Sequence, residues 1–477
     1  MQSDRLIEVP EVRAVLQALI SLLCVLAATI ALIVADDASM RAQARERSGY
    51  YRGSFIDRAG KLLVYTSTRG REPRQVSTLP SLSLLTGYRD PQGAWHGLER
   101  RFQALLTARR ARQDWRTFFL RLRGQAPRGG SVKLTIDSRL QRVAEKALGS
   151  ARGAIVAIDP STGGVLAMVS NPYCSPTELA SAASPERCRR DQSNPLLNRA
   201  VGLALPPGSA FKIVTLTAAL DTGTFRLSSV FAGADAFGPS PYFNNLDYPS
   251  NVTRADLTQL TLSQALAFSD NFTFAHIGLT LGAPTLLRYA HRFYIGKQIP
   301  FDLPVTRSHI AAGNPHPSPA QLAQSSFGAE VDRVTPLQMA LVTSAVANRG
   351  VLMAPHLVDR LLDAGGHVLH AFAPHSLGRV MSASTAASVT TAMEFVVNHG
   401  SGYRAQIAGV RVAGKTGTAA SGASLPHAWF ISFAPAQHPV IAVAVLHEFA
   451  GEGFKYAAPL ARQMVVTALQ ERGFRVR

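Results

Sequence analysis

Lysine is scarce in this strongly basic chain. Only seven of its 49 basic residues are lysines, the others are arginines, and the formal net charge is +18. Arginine stays protonated near neutral pH, whereas a desolvated lysine can release its proton. A lysine kept in an apolar segment therefore indicates a role that arginine cannot fill. The excess of positive charge by itself admits nucleic acid, anionic lipid or an acidic polymer as a partner.

Cysteine is also rare, and the histidines follow no metal-ligand pattern. Thirteen histidines without ligand spacing and three cysteines give no reason to expect a metal or another cofactor, so we predict none. Cys24 lies in an apolar segment, whereas Cys174 and Cys188 lie 14 residues apart in a polar loop. Two free thiols are one interpretation of this pair. A location outside the cytoplasm would favour a disulfide, worth up to about 3 kcal/mol in the chain-entropy account.

Long apolar runs are absent except for one, and the chain has no internal repeat or low-complexity tract. Residues 14–35 carry no charge and are long enough to cross a bilayer as one helix. A cleaved signal peptide is the alternative, but its apolar part would be shorter, and Ala35-Asp36-Asp37 is a poor cleavage site. A membrane location argues against nucleic acid as the partner. The predicted organisation is a tail at 1–13, an anchor at 14–35, a short arginine-rich region at 38–129 and a main domain at 130–477.

The order of strands and helices predicts an α+β domain. A hairpin within residues 154–169 precedes a long region of helices and loops, and strand-like runs follow at 410–414, 427–433 and 440–446. Strands at both ends with helices between them predict an antiparallel sheet, flanked by helices, that joins the two ends of the domain. The other expected elements are two short strands within 52–63, a helix from 97 to about 122, a strand at 131–137 and helices at 138–148 and about 457–471.

The segment around Ser209 has the pattern of a helix start. Pro206, Pro207 and Gly208 permit a sharp turn, and the apolar run that follows has the length of a buried helix. Ser209 is thus expected at a helix N-terminus, where free N–H groups favour developing negative charge. One helical turn brings the amine of Lys212 over the Ser209 hydroxyl, as a nucleophile and its base require. An N-cap serine with a solvated lysine is the alternative, which the apolar surroundings of Lys212 disfavour.

Two further clusters stand later in the chain. Ser269-Asp270-Asn271 lies between two helical runs and can hold a hydroxyl and a carboxamide at a turn. Lys415-Thr416-Gly417-Thr418 continues the predicted strand at 410–414, with Gly417 allowing close approach of another backbone. Each cluster alone is weak evidence, because a Ser-Asp-Asn turn is commonly only a cap and Lys-Thr-Gly is a common strand end.

In this order, Ser-x-x-Lys, Ser-x-Asn and Lys-Thr-Gly form the signature of penicillin-interacting serine enzymes. The chain resembles the class B, monofunctional penicillin-binding proteins, which are peptidoglycan D,D-transpeptidases. The resemblance is strong over residues 131–470, and 38–129 resembles a shortened form of the family's membrane-proximal pedestal. It implies the fold shared by these transpeptidases and the serine β-lactamases. Beyond the three clusters, it rests on segments at 134–137, 159–168, 198–200, 335–340, 414–419 and 427–430.

The resemblance also implies a role for each residue. Ser209 would attack the carbonyl between the two terminal D-alanines of a stem peptide, with Lys212 as the general base. Ser269 would relay the proton to the departing amine, and Lys415 would hold that network electrostatically. The substrate-binding residues would be Asn271, for the substrate's backbone amide, and Thr416, Gly417 and Thr418. Of these, Thr416 and Thr418 would receive the terminal carboxylate. The backbone N–H groups of Ser209 and Thr418 would form the oxyanion hole.

The same resemblance implies a location and partners. A stem-peptide substrate places the catalytic domain outside the bacterial inner membrane and the N-terminus in the cytoplasm, in a single-pass arrangement that flanking charge does not decide. β-Lactam antibiotics are expected as ligands. A transpeptidase without a glycosyltransferase domain needs glycan strands made elsewhere, which implies a polytopic lipid II glycosyltransferase of the FtsW/RodA type as a neighbour.

Three other functions are alternatives to transpeptidation. A serine β-lactamase needs a glutamate to activate a deacylating water, and Glu394 is the one candidate, in a helical pattern 21 residues before Lys415. A D,D-carboxypeptidase would use the same groups with water as the acceptor. A non-catalytic β-lactam sensor or a scaffold of a wall-synthesis complex is disfavoured, because all the catalytic residue types are present and only a short tail precedes the anchor.

Overall fold

The computed structural model describes residues 15, 17–29, 52–67, 74–88, 93–107, 129–180, 184–232, 258–422, 425–474 and 476. The strands, numbered in chain order, are β1 (Phe55–Ile56), β2 (Leu62–Ser67), β3 (Arg74–Ser77), β4 (Ser131–Leu134), β5 (Gly153–Ile158), β6 (Val165–Asn171), β7 (Val230–Ala232), β8 (Gln259–Thr261), β9 (Val351–Met353), β10 (Val358–Leu362), β11 (Val368–Ala371), β12 (Ser376–Arg379), β13 (Ala413–Ala419), β14 (His427–Ala434) and β15 (Ile441–His447).

The α-helices are likewise numbered in chain order, after the N-terminal helical residues 17–29. They are α1 (Ser83–Thr86), α2 (Gly97–Arg101), α3 (Gln103–Leu106), α4 (Ser138–Leu148), α5 (Pro176–Ala180), α6 (Ser184–Arg190), α7 (Arg199–Gly202), α8 (Lys212–Asp221), α9 (Leu262–Ala267), α10 (Asn271–Leu281), α11 (Ala283–Arg292), α12 (Pro319–Ser325), α13 (Pro336–Ala347), α14 (Ala383–His399), α15 (Gly453–Tyr456) and α16 (Ala458–Glu471).

The central sheet joins the two ends of the main domain, which confirms the predicted α+β architecture. Its order is β13-β14-β15-β5-β6, and every neighbouring pair is antiparallel. Ile155 and Ala157 pack into one buried core and Val156 and Ile158 into another, so both faces of the sheet are covered. Strands that are covered on both faces are apolar throughout instead of alternating, as β5 and β15 are. Helix α13, all of whose residues are buried, packs on this sheet.

A second sheet contains strands from both the pedestal-like region at 38–129 and the main domain at 130–477. Its order is β11-β10-β4-β1-β2-β3, so β1 of the pedestal-like region pairs with β4 of the main domain, and β2 and β3 extend the sheet from β1. The β10–β11 hairpin was not predicted. Its pairing with β4 connects residues more than 220 positions apart, for example Val358 with Leu134, and no local pattern carries that information. The strands expected within 52–63 are confirmed as β1 and β2.

Three predicted boundaries were wrong. The strand expected from residue 410 begins at Ala413 and runs to Ala419, and the Lys-Thr-Gly cluster continues it as predicted. The helix expected from residue 97 is interrupted at Phe102, and residues 108–128 lie outside the described part of the chain. The strand at 131–137 ends at Leu134, because Asp137 accepts hydrogen bonds from the N–H groups of Arg139 and Leu140 and caps α4.

The predicted membrane anchor lies only partly within the described residues. Residues 15 and 17–29 are helical and exposed, and the other positions of the span at 14–35 lie outside the described part. Across the ranges that the structure describes, no helix has both the length and the apolar character needed to cross a membrane.

Covalent and ionic links hold the segment before the Ser209 turn. Cys174 and Cys188 form a disulfide, with their Cα atoms 6.4 Å apart. Arg199 is fully buried, and its Nε lies 2.7 Å from Glu448 Oε1, just beyond β15. Its guanidinium also donates to the backbone oxygens of Asn194 and Ser193. These links attach residues 193–199 to the end of the central sheet.

Candidate active site

The nucleophile candidate lies where a tight turn becomes a helix. Ser209 falls in a 3₁₀ turn, Gly208–Phe211, that continues directly into α8 at Lys212. The helix therefore starts three residues after Ser209, close to the expected position. The turn rests on a neighbouring loop, because the Gly208 N–H donates to Gly328 O at 2.9 Å. Ser209 is partly exposed and Lys212 completely buried, so the hydroxyl is accessible and the amine is not.

The contacts of the Lys212 amine suit it to act as a base towards Ser209. Its Nζ lies 2.6 Å from Ser269 O and 2.7 Å from Asn271 Oδ1. Both oxygens can only accept, so the amine donates to each of them. Ser209 Oγ lies 3.0 Å and Ser269 Oγ 3.3 Å from the same Nζ. A neutral amine has two N–H groups, and here they donate to Ser269 O and Asn271 Oδ1. Its lone pair is then available to accept the proton of the Ser209 hydroxyl.

The second cluster forms the turn between α9 and α10. Ser269 adopts a left-handed backbone conformation, with φ of 62°, and its side chain is buried. Asp270 caps α10 by accepting from the N–H groups of Phe272 and Thr273. This carboxylate is therefore committed to the helix start, and it orients Asn271, the first residue of α10, towards Lys212.

The third cluster lies on β13, at the edge of the central sheet. Lys415 is fully buried, and its Nζ lies 2.9 Å from Ser269 Oγ and 3.0 Å from Thr416 O. Gly417 is required by close packing, because a Cβ atom there would lie 2.6 Å from the Pro207 carbonyl oxygen. The absence of a side chain at 417 thus lets the Ser209 turn lie directly against β13, as the expected close approach required.

The two threonines of this strand differ in access. Thr416 is 1% exposed, and its hydroxyl contacts Ser401 Oγ at 2.7 Å and Lys415 Nζ at 3.2 Å. Thr418 is partly exposed, and its Oγ1 accepts from the Gly453 N–H at 3.3 Å. The Thr418 proton is then free to point away from the protein. Thr418 therefore has the more accessible hydroxyl, although both were expected to receive a carboxylate.

Ser401 and Gly453 were missed by sequence reasoning. Ser401 follows the end of α14 and Gly453 begins the short helix α15, and neither belongs to a recognisable local pattern. Their contacts with β13 arise only when distant segments pack together. A flanking Gly400 and Gly402 indicate a tight turn around Ser401, but nothing in that turn points to Thr416.

Glu394 is engaged in a separate ion pair. It lies within α14, is mostly buried, and accepts from Arg411 at 2.8 and 2.7 Å, so both of its oxygens are used. A carboxylate held by a bidentate arginine is poorly suited to activate a water molecule. In the described residues, moreover, no group of three or more histidine, cysteine, aspartate or glutamate side chains could hold a metal ion.

A buried carboxyl supports the loop beneath the nucleophile. Asp332 Oδ1 accepts from the Ala311 N–H at 2.9 Å and from Ser325 Oγ at 2.8 Å. Oδ2 has no hydrogen-bond partner among the described residues. Burial raises the pKa of Asp332 from 3.8 to about 8. The same loop supplies Gly328, which accepts from Gly208.

We expect Asp332→Asn to flatten the dependence of stability on pH. The folded wild type keeps a proton on Asp332 that the unfolded chain releases near pH 3.8, so this contribution to stability is lost as the pH rises towards 8. The asparagine cannot titrate and keeps an oxygen for Ala311 and Ser325. Urea unfolding at about pH 5 and about pH 8 should show a gain over the wild type that grows with pH. An equal gain or loss at both pH values would contradict the assignment.

Comparison with known proteins gives a consistent picture. The family described as the penicillin-binding protein transpeptidase domain matches residues 153–465. The peptidoglycan D,D-transpeptidase PbpA of Mycolicibacterium smegmatis is 35% identical over 444 residues, covering 87% of this chain and 89% of that protein. PbpA of Mycobacterium tuberculosis is 32% identical over 445 residues, with 87% and 88% covered. The penicillin G acyl-enzyme complex of penicillin-binding protein A from M. tuberculosis superposes with a TM-score of 0.76 at 32% identity, covering 88% of this chain and 100% of that one.

Proposed function

This chain belongs to the class B penicillin-binding proteins and is a serine-type peptidoglycan D,D-transpeptidase, and we propose that Ser209, Lys212, Ser269 and Lys415 carry its chemistry. Ser209 Oγ forms a bond to the carbonyl carbon between the two terminal D-alanines of a stem peptide. The bond to the last D-alanine breaks, that residue leaves as a free amino acid, and an acyl-enzyme results.

The distance of 3.0 Å between Lys212 Nζ and Ser209 Oγ is the observation that carries this proposal. The proton of Ser209 passes to the Lys212 lone pair as the new bond forms. The two carbonyl acceptors, Ser269 O and Asn271 Oδ1, hold the amine in place, so little reorganisation is needed at the moment of transfer. Burial of the amine disfavours its charged form and supports the neutral base.

Proton delivery to the leaving group uses the second cluster. Ser269 Oγ lies within 3.3 Å of Lys212 Nζ and 2.9 Å of Lys415 Nζ, so it can take a proton from one lysine and pass its own proton to the departing amine. The backbone N–H groups of Ser209 and Thr418 stabilise the oxyanion, and the accessible Thr418 hydroxyl receives the terminal carboxylate. Asn271 keeps its amide N–H group for the substrate backbone, because its oxygen is occupied by Lys212.

The second half of the reaction transfers the acyl group to an amine. An amino group of a neighbouring stem peptide attacks the ester carbon, loses a proton to the Lys212–Ser269 pair, and releases Ser209 with formation of the cross-link. Use of water instead would give a carboxypeptidase or, with a β-lactam, a lactamase. The ion pair of Glu394 with Arg411 argues against the water-activating glutamate that a lactamase needs.

The location and the neighbours of the enzyme are part of the proposal. Residues 14–35 serve as a retained anchor in the bacterial inner membrane, with the tail in the cytoplasm and the catalytic domain outside. The uncharged sequence of that segment and the Cys174–Cys188 disulfide, a bond typical of oxidising compartments, support this arrangement. Glycan strands would come from a polytopic lipid II glycosyltransferase of the FtsW/RodA type. β-Lactam antibiotics act as stem-peptide mimics that acylate Ser209.

Labelling with a fluorescent penicillin, followed by a chase, tests the proposal. Rapid labelling with release over hours is expected, because the candidate glutamate, Glu394, is held in its ion pair with Arg411. A stem pentapeptide with an amine acceptor should then give a cross-linked product and free D-alanine, and product formation should stop when penicillin is present. Release of the label within seconds would indicate a lactamase, free D-alanine without cross-links a carboxypeptidase, and no labelling a non-catalytic scaffold.

A further inference from the structure

Ser401 stands at the end of an unbroken row of polar contacts that leads to the nucleophile. Its Oγ lies 2.7 Å from Thr416 Oγ1, which lies 3.2 Å from Lys415 Nζ. The row continues from Lys415 to Ser269 at 2.9 Å, from Ser269 to Lys212 at 3.3 Å, and from Lys212 to Ser209 at 3.0 Å. The outermost member of this row, Ser401, belongs to none of the three signature clusters.

The chemistry of Lys415 fixes the direction of one of the two outer hydrogen bonds. The ammonium form of Lys415 can only donate, so Thr416 Oγ1 accepts from it. The contact between Thr416 Oγ1 and Ser401 Oγ can run in either direction, because each hydroxyl has one proton and two lone pairs. In either direction, the contact with Ser401 restricts the rotation of the Thr416 hydroxyl and keeps one of its lone pairs available to Lys415.

The backbone of Ser401 is tied to the second cluster. Its N–H donates to Ala267 O at 3.0 Å, at the end of α9 and two residues before Ser269. The side chain thus reaches β13 while the main chain holds the turn that carries Ser269. The residue is 4% exposed, so water does not readily replace its hydroxyl.

We propose that Ser401 is a positioning residue for acylation, which holds Lys415 against Ser269 through the Thr416 hydroxyl. The proposal rests on the acyl-enzyme function given above and adds a member to the machinery of the same site. Ser401 does not touch the substrate or the reacting atoms. Its effect passes through Thr416, so the consequences of losing either hydroxyl should not be independent.

The first test compares single variants in the full-length protein. The rate constant for acylation by penicillin should fall about tenfold in Ser401→Ala, the effect of one lost hydrogen bond in the transition state. Ser401→Thr keeps the hydroxyl and should restore the rate to within about threefold of the wild type. Both variants keep the backbone bond to Ala267, so their unfolding temperatures should stay close to that of the wild type. A wild-type rate in Ser401→Ala would overturn the proposal.

Ser432→Ala is the matched control. Ser432 is also a buried serine of the same region, on β14, but its Oγ has no hydrogen-bond partner among the described residues. Loss of that hydroxyl should leave the acylation rate unchanged. A tenfold loss there as well would mean that any buried serine in this sheet affects the rate, and the assignment of Ser401 would fail.

A double-mutant cycle separates positioning from a general structural role. Thr416→Val removes the hydroxyl and keeps the shape of the side chain. Its loss of acylation rate should already include any effect that Ser401 exerts through the Thr416 hydroxyl. If Ser401 acts through Thr416, the variant with both changes should acylate no more slowly than Thr416→Val alone. Multiplicative losses would show that Ser401 acts by another route. Labelling of the wild type and its absence in Ser209→Ala secure the underlying function, so failure of the cycle would leave that function intact.

Discussion

Replacement of Ser209 by alanine is expected to abolish covalent labelling by penicillin and cross-linking of stem peptides, a loss of at least about 10⁴-fold. The hydroxyl is the accessible group of the 3₁₀ turn and lies 3.0 Å from the amine that would deprotonate it. In the described residues near this turn, the other hydroxyl in contact with Lys212 is that of Ser269, which is buried. Ser269 is therefore poorly placed to replace Ser209 as the nucleophile.

The fold should tolerate this change. Ser209 is partly exposed, and its hydroxyl is not a helix cap, since α8 begins three residues later without a side-chain cap. Its removal creates no cavity of consequence, so the unfolding temperature should stay close to that of the wild type. Intact-mass spectrometry after exposure to penicillin G gives the result directly. A penicilloyl adduct in Ser209→Ala, mapped by peptide digestion to another residue, would overturn the nucleophile assignment.

Replacement of Lys212 by arginine is expected to be almost as damaging, with acylation slowed by about 10³-fold or more, although the positive charge is kept. The reason is proton affinity. An arginine keeps its protons near neutral pH and has no lone pair to offer Ser209, whereas a buried amine can be neutral. The contacts of Lys212 with Ser269 O and Asn271 Oδ1 would attract a guanidinium but not convert it into a base.

A second variant separates the loss of the base from the larger size of the arginine side chain. Lys212 is completely buried, so the larger guanidinium could disturb the packing around α8. Lys212→Met is similar in volume and carries neither charge nor base, and it should show the same loss of acylation with the fold retained. Lys297→Arg, at an exposed position, is the matched control and should label at the wild-type rate. Stopped-flow acylation kinetics that showed Lys212→Met within tenfold of the wild type would remove Lys212 from the base role.

The Lys-Thr-Gly strand shows what packing adds to a motif. Sequence alone predicts that Gly417 allows a close approach, but the partner, the Pro207 carbonyl, is 210 positions away and is identified only by the fold. The buried Thr416 hydroxyl likewise contacts Ser401 and the Lys415 amine, and the contact with Ser401 is identified only by the fold. Alternation along β13 cannot distinguish Thr416 from Thr418, because both lie on the same face of the strand.

The amino-acid sequence by itself determined the local chemistry of this protein. A proline-glycine turn before an apolar run specifies a helix start at Ser209, and 3.6-residue periodicity places Lys212 over it; apolar runs with turn residues specify the strands of the central sheet. Only the tertiary structure decided which distant groups meet. Antiparallel pairing joined β5 to β15, set Lys415 beside Ser269 and brought Ser401 to Thr416. These contacts span 15 to 294 positions in the chain. They form because burying the two faces of one sheet lowers the free energy of the whole domain, a property that no short segment carries.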